Sequence, residues 1–480
     1  MVGESEVSTD AGEERFDRSR TRGVETLLGD PKRAVIRLSI PMIIAMTVQT
    51  VYNLVDALWV SGLGPDALAA VGLFFPFFFV LIAIATGIGV GAASALSRRI
   101  GARDKDGSDN VAIHSLLMMM GGAMVLVAVF LPLTRTIFST FGATGEVLDM
   151  TVQYSRVMFA AAPILFFMNW ATAIMRGEGD VRRPMYAMAA GSVLNMVLDP
   201  VFIFTLDLGV AGAAWASAVS ISIGAVPLAY WMFWKRDTYV TMRRCCFRYS
   251  RDIVKDIMRV GLPATVMQLS MSISMLMLNY IIIDIGGTDG VAVFTTGWRV
   301  VMIAILPLLG IATAIVSVAG AAYGARQYGK IGVALDYSIK IGFAVELAIA
   351  AATFALAGPI AAAFSTGEGG ERIQGDLENL IRIIALHYPW VAFGMFSSSM
   401  FQGTGKGMYA LAVTLLRTVV MTLALVLVLV YVVDLHLDGV WWGMVLGNSL
   451  GAMVAYLWAR YYIAHLNGLP VPEETSAITV

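Results

Sequence analysis

Two stretches of this 480-residue chain place acids in otherwise apolar surroundings. In Pro41–Gly62, PMIIAMTVQTVYNLVDALWVSG, the polar residues Gln49, Asn53 and Asp56 recur at helical spacing and share one face. In Asn195–Pro200, NMVLDP, Asn195 and Asp199 are four residues apart, one helical turn. A carboxylate at the centre of a bilayer costs ~2.5–3.5 kcal/mol on insertion scales, so it faces protein or a water-filled cavity. One polar group would serve a helix–helix contact; three on one face read as cavity lining. Carboxylates with amides and hydroxyls form a hard-oxygen set suited to a proton or Na+, with no soft ligand for a transition metal. Asp56 is the charge expected to change state as the protein works. Each stretch also carries a proline. Pro41 cannot donate to the Arg37 carbonyl and crowds it, which makes a weak point in the helix below Asp56, and Pro200 frees a carbonyl beside Asp199.

The elements that hold these residues are membrane spans. Hydrophobic residues make up 58% of the chain and charged residues 14%, against about a quarter charged in soluble proteins. Apolar runs of about twenty residues recur along its length. They predict an all-α integral membrane protein with twelve spans, near 34–61, 67–97, 111–133, 148–174, 184–206, 209–234, 255–284, 289–321, 334–358, 378–401, 408–433 and 438–465. A net charge of −1 argues against a nucleic-acid partner. The two cysteines, Cys245 and Cys246, are adjacent and outside any CxxC or Cys/His cluster, which disfavours a disulfide or metal scaffold. Residues 1–25 read as a flexible tail without a signal-peptide core.

Basic residues orient the spans. Arg98, Arg99, Arg103 and Lys105 follow span two, and Arg176, Arg182 and Arg183 follow span four. Eight more lie at 235–259, whereas the opposite side shows only Arg135 and Arg372. The positive-inside rule puts both termini and the 235–259 loop in the cytoplasm, for a multi-pass protein of the cell membrane.

The chain also repeats itself. Arg37–Pro41 matches Arg259–Pro263 at an offset of 222, and Asp66–Arg103 matches Asp289–Arg326 at 223 without a gap. Arg-Gly177-Glu-Gly179 matches Gln-Gly403-Thr-Gly405, and Gly209-Val matches Gly439-Val. Six spans per repeat make the repeats parallel, which predicts two pseudo-symmetric six-helix bundles. The expected organisation is a tail at 1–33, bundles at 34–234 and 255–465, a linker at 235–254 and a tail at 466–480. The halves differ where it matters: Asp56 aligns with Leu278, and Asn195 and Asp199 align with Thr418 and Thr422. The acids belong to the first half alone.

The chain resembles the MATE (multidrug and toxic compound extrusion) transporters, in particular their archaeal and DinF-type branch. The resemblance spans about residues 27–465. It rests on GDPKRAVIRLSIPM at Gly29–Met42, NLVDALWVSGLG at Asn53–Gly64, RGEGDVRRPM at Arg176–Met185 and NMVLDP at Asn195–Pro200. It implies a cation site, for H+ or Na+, at Asp56, Asp199, Asn195 and Ser217, with Tyr154 and Asn169 in its network beside Gln49 and Asn53. Pro41 resembles the proline about which span one bends. The NorM-type branch places an acid in span seven, but here Gly261-Leu-Pro263 is followed by Gln268 and Ser270. A second-half site of that kind is therefore not expected.

The resulting expectation is a monomeric antiporter, not an enzyme, exporting amphipathic, often cationic drug-like compounds in exchange for H+ or Na+ by alternating access, with membrane lipid as its surroundings and no cofactor. A flippase for lipid-linked saccharide and an uncoupled channel are the alternatives. Arg299, Glu346, Arg417 and His387 lie within second-half spans and are expected to pair among themselves. Gly177-Glu-Gly179-Asp180 matches the GxGD pattern of intramembrane proteases, but a loop aspartate cannot meet Asp56 at membrane depth, so it reads as a loop.

Overall fold

The structure, a computed structural model, describes residues 21–235, 237–242, 247–365 and 370–468, and no strand occurs among them. A short helix α1 (Arg22–Leu28) precedes α2 (Pro31–Ser61), α3 (Pro65–Gly101), α4 (Lys105–Thr140), α5 (Gly145–Gly177), α6 (Arg182–Thr205) and α7 (Gly209–Lys235). The second half contains α8 (Arg251–Ala304), α9 (Leu306–Gly324), α10 (Tyr328–Ala355), α11 (Ala357–Phe364), α12 (Gly370–Ala385), α13 (Tyr388–Gly403), α14 (Gly407–Val432) and α15 (His436–Asn467). Eleven of these helices are long and apolar enough to cross a membrane, and α12 with α13, bent by 51°, completes twelve. Large apolar side chains such as Leu54, Val125 and Val432 are more than half exposed, as an apolar solvent requires.

Two expected spans are not single helices. The expected span 289–321 starts inside α8, which reverses at Gly287 (φ 59°, ψ −151°), and breaks at Ile305, where Pro307 opens α9. The span expected at 378–401 bends between α12 and α13, with Pro389 in the first turn of α13. A proline in a first turn offers no N–H that would continue the preceding helix. Pro41 and Pro76, by contrast, lie inside continuous helices.

Turn geometry repeats with the sequence. Arg103 and Arg326 hold φ of 58° and 56°, and Gly179 and Gly405 hold 85° and 79°. The helix ends beside these turns bring the halves together. An ideal Cβ on Gly324 would lie 1.8 Å from the Arg98 carbonyl oxygen, and one on Gly101 would lie 2.0 Å from that of Ala321. Ser94 Oγ donates to the Gly403 carbonyl (3.1 Å), Ser317 Oγ to that of Arg176 (2.9 Å), and Arg98 pairs with Asp256 (2.6 Å). All of these contacts lie at the face carrying the basic loops, called the basic face below.

The described parts of the N-terminal tail and the linker are more ordered than the sequence implied. α1 straddles both halves: Val24 joins the first-half apolar cluster and Leu27 the second-half one, while Lys330 Nζ donates to the carbonyls of Leu28 (2.9 Å) and Gly29 (3.1 Å). The flexible-tail reading of residues 1–25 thus fails from Arg22 onward, because an apolar pair one turn apart buries against the bundle. Residues 1–20 and 469–480, and in the linker Arg236, Cys245 and Cys246, lie outside the described residues. The described part of the linker is pinned to the first half, with Thr241 N on Asp109 Oδ1 (2.8 Å) and Ser250 N on His114 Nε2 (3.0 Å).

Glu178, read from sequence as an ordinary loop residue, is 2% exposed and accepts from Val240 N at 3.2 Å. Burial pushes its carboxyl up from 4.5 to about 8, against the pull of the Val240 N–H. The fold favours the neutral acid, so this contribution to stability is complete below 4.5 and is lost as pH rises through about 8. Wild-type protein is therefore expected to lose more thermal stability than Glu178→Gln between pH ~5 and ~8. Parallel melting curves of the two proteins would refute this.

Candidate cation site

α6 supplies the fixed side of the site. Asn195 is 2% exposed and Asp199 0%, and the helix widens into a π turn over Val201–Thr205 just after Pro200. Such turns absorb the strain of a missing donor and recur at functional positions. The Asn195 amide satisfies both neighbours in one orientation, with its nitrogen donating to Asp199 Oδ2 (2.9 Å) and its oxygen accepting from Ser217 Oγ (3.3 Å) and Ser217 N (3.1 Å). Ser217, on α7, is 5% exposed.

α2 supplies the facing acid. The Asp56 carboxyl lies close enough to Asp199 for the two to interact, and its Oδ1 is buried without a hydrogen-bond partner. Asp56 is eleven residues, close to three turns, beyond the buried Ala45, so it continues the packed face of α2. Tyr52, one turn earlier, lies beside Ser217 and within electrostatic range of both acids. Tyr154 on α5 lies within electrostatic range of both acids and of Tyr52, with its ring held edge-on by Phe74 at 5.3 Å.

The structure thus assembles Asp56, Asp199, Asn195, Ser217 and Tyr154. Of the other expected members, two are turned away and the third bonds within its own helix. Gln49 and Asn53 are exposed, since Asn53 is turned about 80° around α2 from the packed face. Asn169 donates to the Leu165 carbonyl of its own helix (3.0 Å). Sequence reading missed Tyr52, although its spacing of four from Asp56 was the available signal.

Two carboxyls this close need a shared proton or a cation between them, because two bare charges repel at short range. Carboxyl, amide and hydroxyl oxygens are the donor set that Na+ takes, so the residues present fit either ion. Among the described residues no three His, Cys, Asp or Glu side chains converge elsewhere as a rival site.

The second half has no equivalent. Leu278 is buried, Thr422 Oγ1 donates to the Arg417 carbonyl (2.9 Å), and Asn448 bridges Thr422 (3.2 Å) and Arg417 (3.3 Å). The expected pairing of membrane charges is also not found. Glu346 is fully buried with neither oxygen partnered, Arg299 is exposed, and Arg417 lies against Gly394 and Gly451, where its partner is Asn448. These charges sit on faces set by separate helices, so composition alone could not pair them.

α2 links the site to the other half. Its first turns, Ala34 to Met42, pack in the second-half apolar cluster, whereas its last turns carry Asp56 onto α6. Pro41 sits where one environment gives way to the other. Pro41→Ala restores a backbone donor there and is expected to leave cation binding on purified protein intact while cutting drug export in vesicles several-fold. Full export by well-folded Pro41→Ala protein would remove the hinge from the mechanism.

Comparison with known proteins places the chain. The MatE family model matches residues 41–201 and 263–428. The multidrug export protein MepA of Staphylococcus aureus is 26% identical over 426 residues, covering 88% of this chain and 92% of that protein. A crystal structure of MATE in the straight conformation is 48% identical with a TM-score of 0.90, over 94% of this chain and 100% of that one. Another, of MATE in the bent conformation, is 49% identical with a TM-score of 0.88, over 93% and 98%. With matching family segments in both halves and a shared twelve-helix fold, the chain belongs to the MATE family of multidrug efflux transporters and is a membrane carrier, not an enzyme.

Proposed function

We propose that the protein is a secondary antiporter that exports amphipathic, often cationic organic compounds in exchange for H+ or Na+ through alternating access of two lobes, 34–234 and 255–465. The observation that carries this reading is the facing pair Asp56 and Asp199, braced by Asn195, Ser217, Tyr52 and Tyr154. A proton or Na+ entering there removes the repulsion between α2 and α6 and changes how the upper part of α2 seats. Coupling then requires that cation and drug favour different states of the lobes. Solved relatives described as straight and bent support a flexible element in the family, and Pro41 marks where α2 would flex.

The lobes touch at the basic face, which the positive-inside rule assigns to the cytoplasm together with both termini. On this reading the structure is the outward-open state of a monomer in the cell membrane. The test is uptake of a fluorescent cationic drug into inverted vesicles under an imposed pH or Na+ gradient. Uptake driven by one gradient and abolished by its collapse supports antiport. Equal flux without either gradient identifies an uncoupled pathway and overturns it.

A further inference from the structure

The halves border an open cleft of about 450 Å³ at the basic face, lined by Arg98, Arg99, Asp104, Asp256, Tyr323 and Arg326 with neighbouring small and aromatic residues. Both acids in it are already engaged. Arg98 binds Asp256 at 2.6 Å and Arg99 binds Asp104 at 2.7 Å. Arg326, exposed on a backbone held at φ 56°, forms no ion pair among the described residues. Cationic donors therefore outnumber acceptors, and they come from both halves. Guanidinium groups match the tetrahedral oxyanion of phosphate in geometry as well as charge.

We propose that this cleft binds a phosphate oxyanion, held between Arg99 of the first half and Arg326 of the second. The phosphodiester of an anionic lipid headgroup and free inorganic phosphate present the same chemistry, and basic pockets between helices on this side of a membrane favour such groups. A ligand that touches both halves binds only while they are together, so it stabilises the state closed at the basic face. This inference does not depend on which ion drives export.

The experiment uses the full chain in nanodiscs, with thermal unfolding as the readout. One arm titrates inorganic phosphate into phosphatidylcholine discs against sodium chloride of equal ionic strength. The other replaces part of the phosphatidylcholine with phosphatidylglycerol. Stabilisation by phosphate is expected if the ligand is soluble, and by phosphatidylglycerol alone if it is a headgroup. Arg326→Gln is expected to weaken the apparent affinity about tenfold, the loss of one charge-assisted contact. Arg326→Gly, whose residue accepts the positive φ without strain, should behave alike and guards against a backbone effect. Arg103→Gln is the surface control, since Arg103 shares the repeat position and φ of 58° but does not line the cleft. No response beyond chloride in either arm overturns the proposal. So does an Arg326→Gln response equal to wild type, or an equal loss in Arg103→Gln.

Discussion

Asp199→Asn protein is expected to fold and insert normally yet, under the proposed antiport, to lose ion-driven drug export by roughly 100-fold, the upper end of ordinary coupling free energies. The substitution keeps size and shape, so Asn195 and Ser217 still have a polar neighbour. It removes the second carboxyl, and with it the repulsion that a proton or Na+ relieves. Asp56→Asn should act alike, because the pair operates as one unit and either loss leaves a single acid. The contrast lies at the repeat-equivalent Thr422, which bonds to Asn448 and the Arg417 carbonyl and meets no acid. Thr422→Val loses both bonds, a stability cost of ~1–3 kcal/mol, but removes no charge, so export by the folded protein should fall far less than in Asp199→Asn. The measurement is drug accumulation in inverted vesicles at matched expression, with and without the gradient. Normal gradient-driven accumulation by Asp199→Asn would end the case for this site.

The second large effect is expected at Gly324. No real Cβ approaches a backbone atom as closely as 1.8 Å, the distance to the Arg98 carbonyl oxygen, and backbone cannot rotate out of the way. Gly324→Ala therefore forces the basic ends of α3 and α9 apart. Overpacking of this kind costs ~1–3 kcal/mol or more, which shifts a two-state population by about tenfold or beyond. The Arg98–Asp256 pair and the Ser94 bond to Gly403 lie in the same seam and should be lost with it. Distance measurements between spin labels on the two halves at the basic face should show a separated population. Gly329→Ala is the control, since nothing lies within 4 Å of its Cβ. An unchanged distance distribution in Gly324→Ala would mean that the seam tolerates the methyl and does not set the state.

Much of the architecture was legible because a bilayer leaves few choices. Backbone groups must be satisfied within a helix, so apolar length alone marks spans. The repeat was legible from glycines and small residues at fixed offsets, and the turns at Arg103 and Arg326 share their geometry. Breaks were harder to read. Pro41 and Pro76 continue their helices whereas Pro307 and Pro389 begin new ones, and no local feature of the sequence separates the two cases.

At the candidate site, residue types and spacing determined that the first half carries two acids where the second half carries none, because a buried membrane charge must be justified wherever it occurs. Sequence alone also determined that Asn195 and Asp199 share a face, since both lie on one helix. Which face of α2 meets them was decided only by tertiary packing. The rotation of α2 is set by its first turns, which bury Ala34, Leu38 and Met42 against the second half. That rotation turns Tyr52 and Asp56 inward and leaves Gln49 and Asn53 exposed. The cleft of Arg99 and Arg326 and the seam at Gly324 were likewise beyond the sequence. Each joins residues more than two hundred positions apart, and only packing of one repeat against the other brings them together.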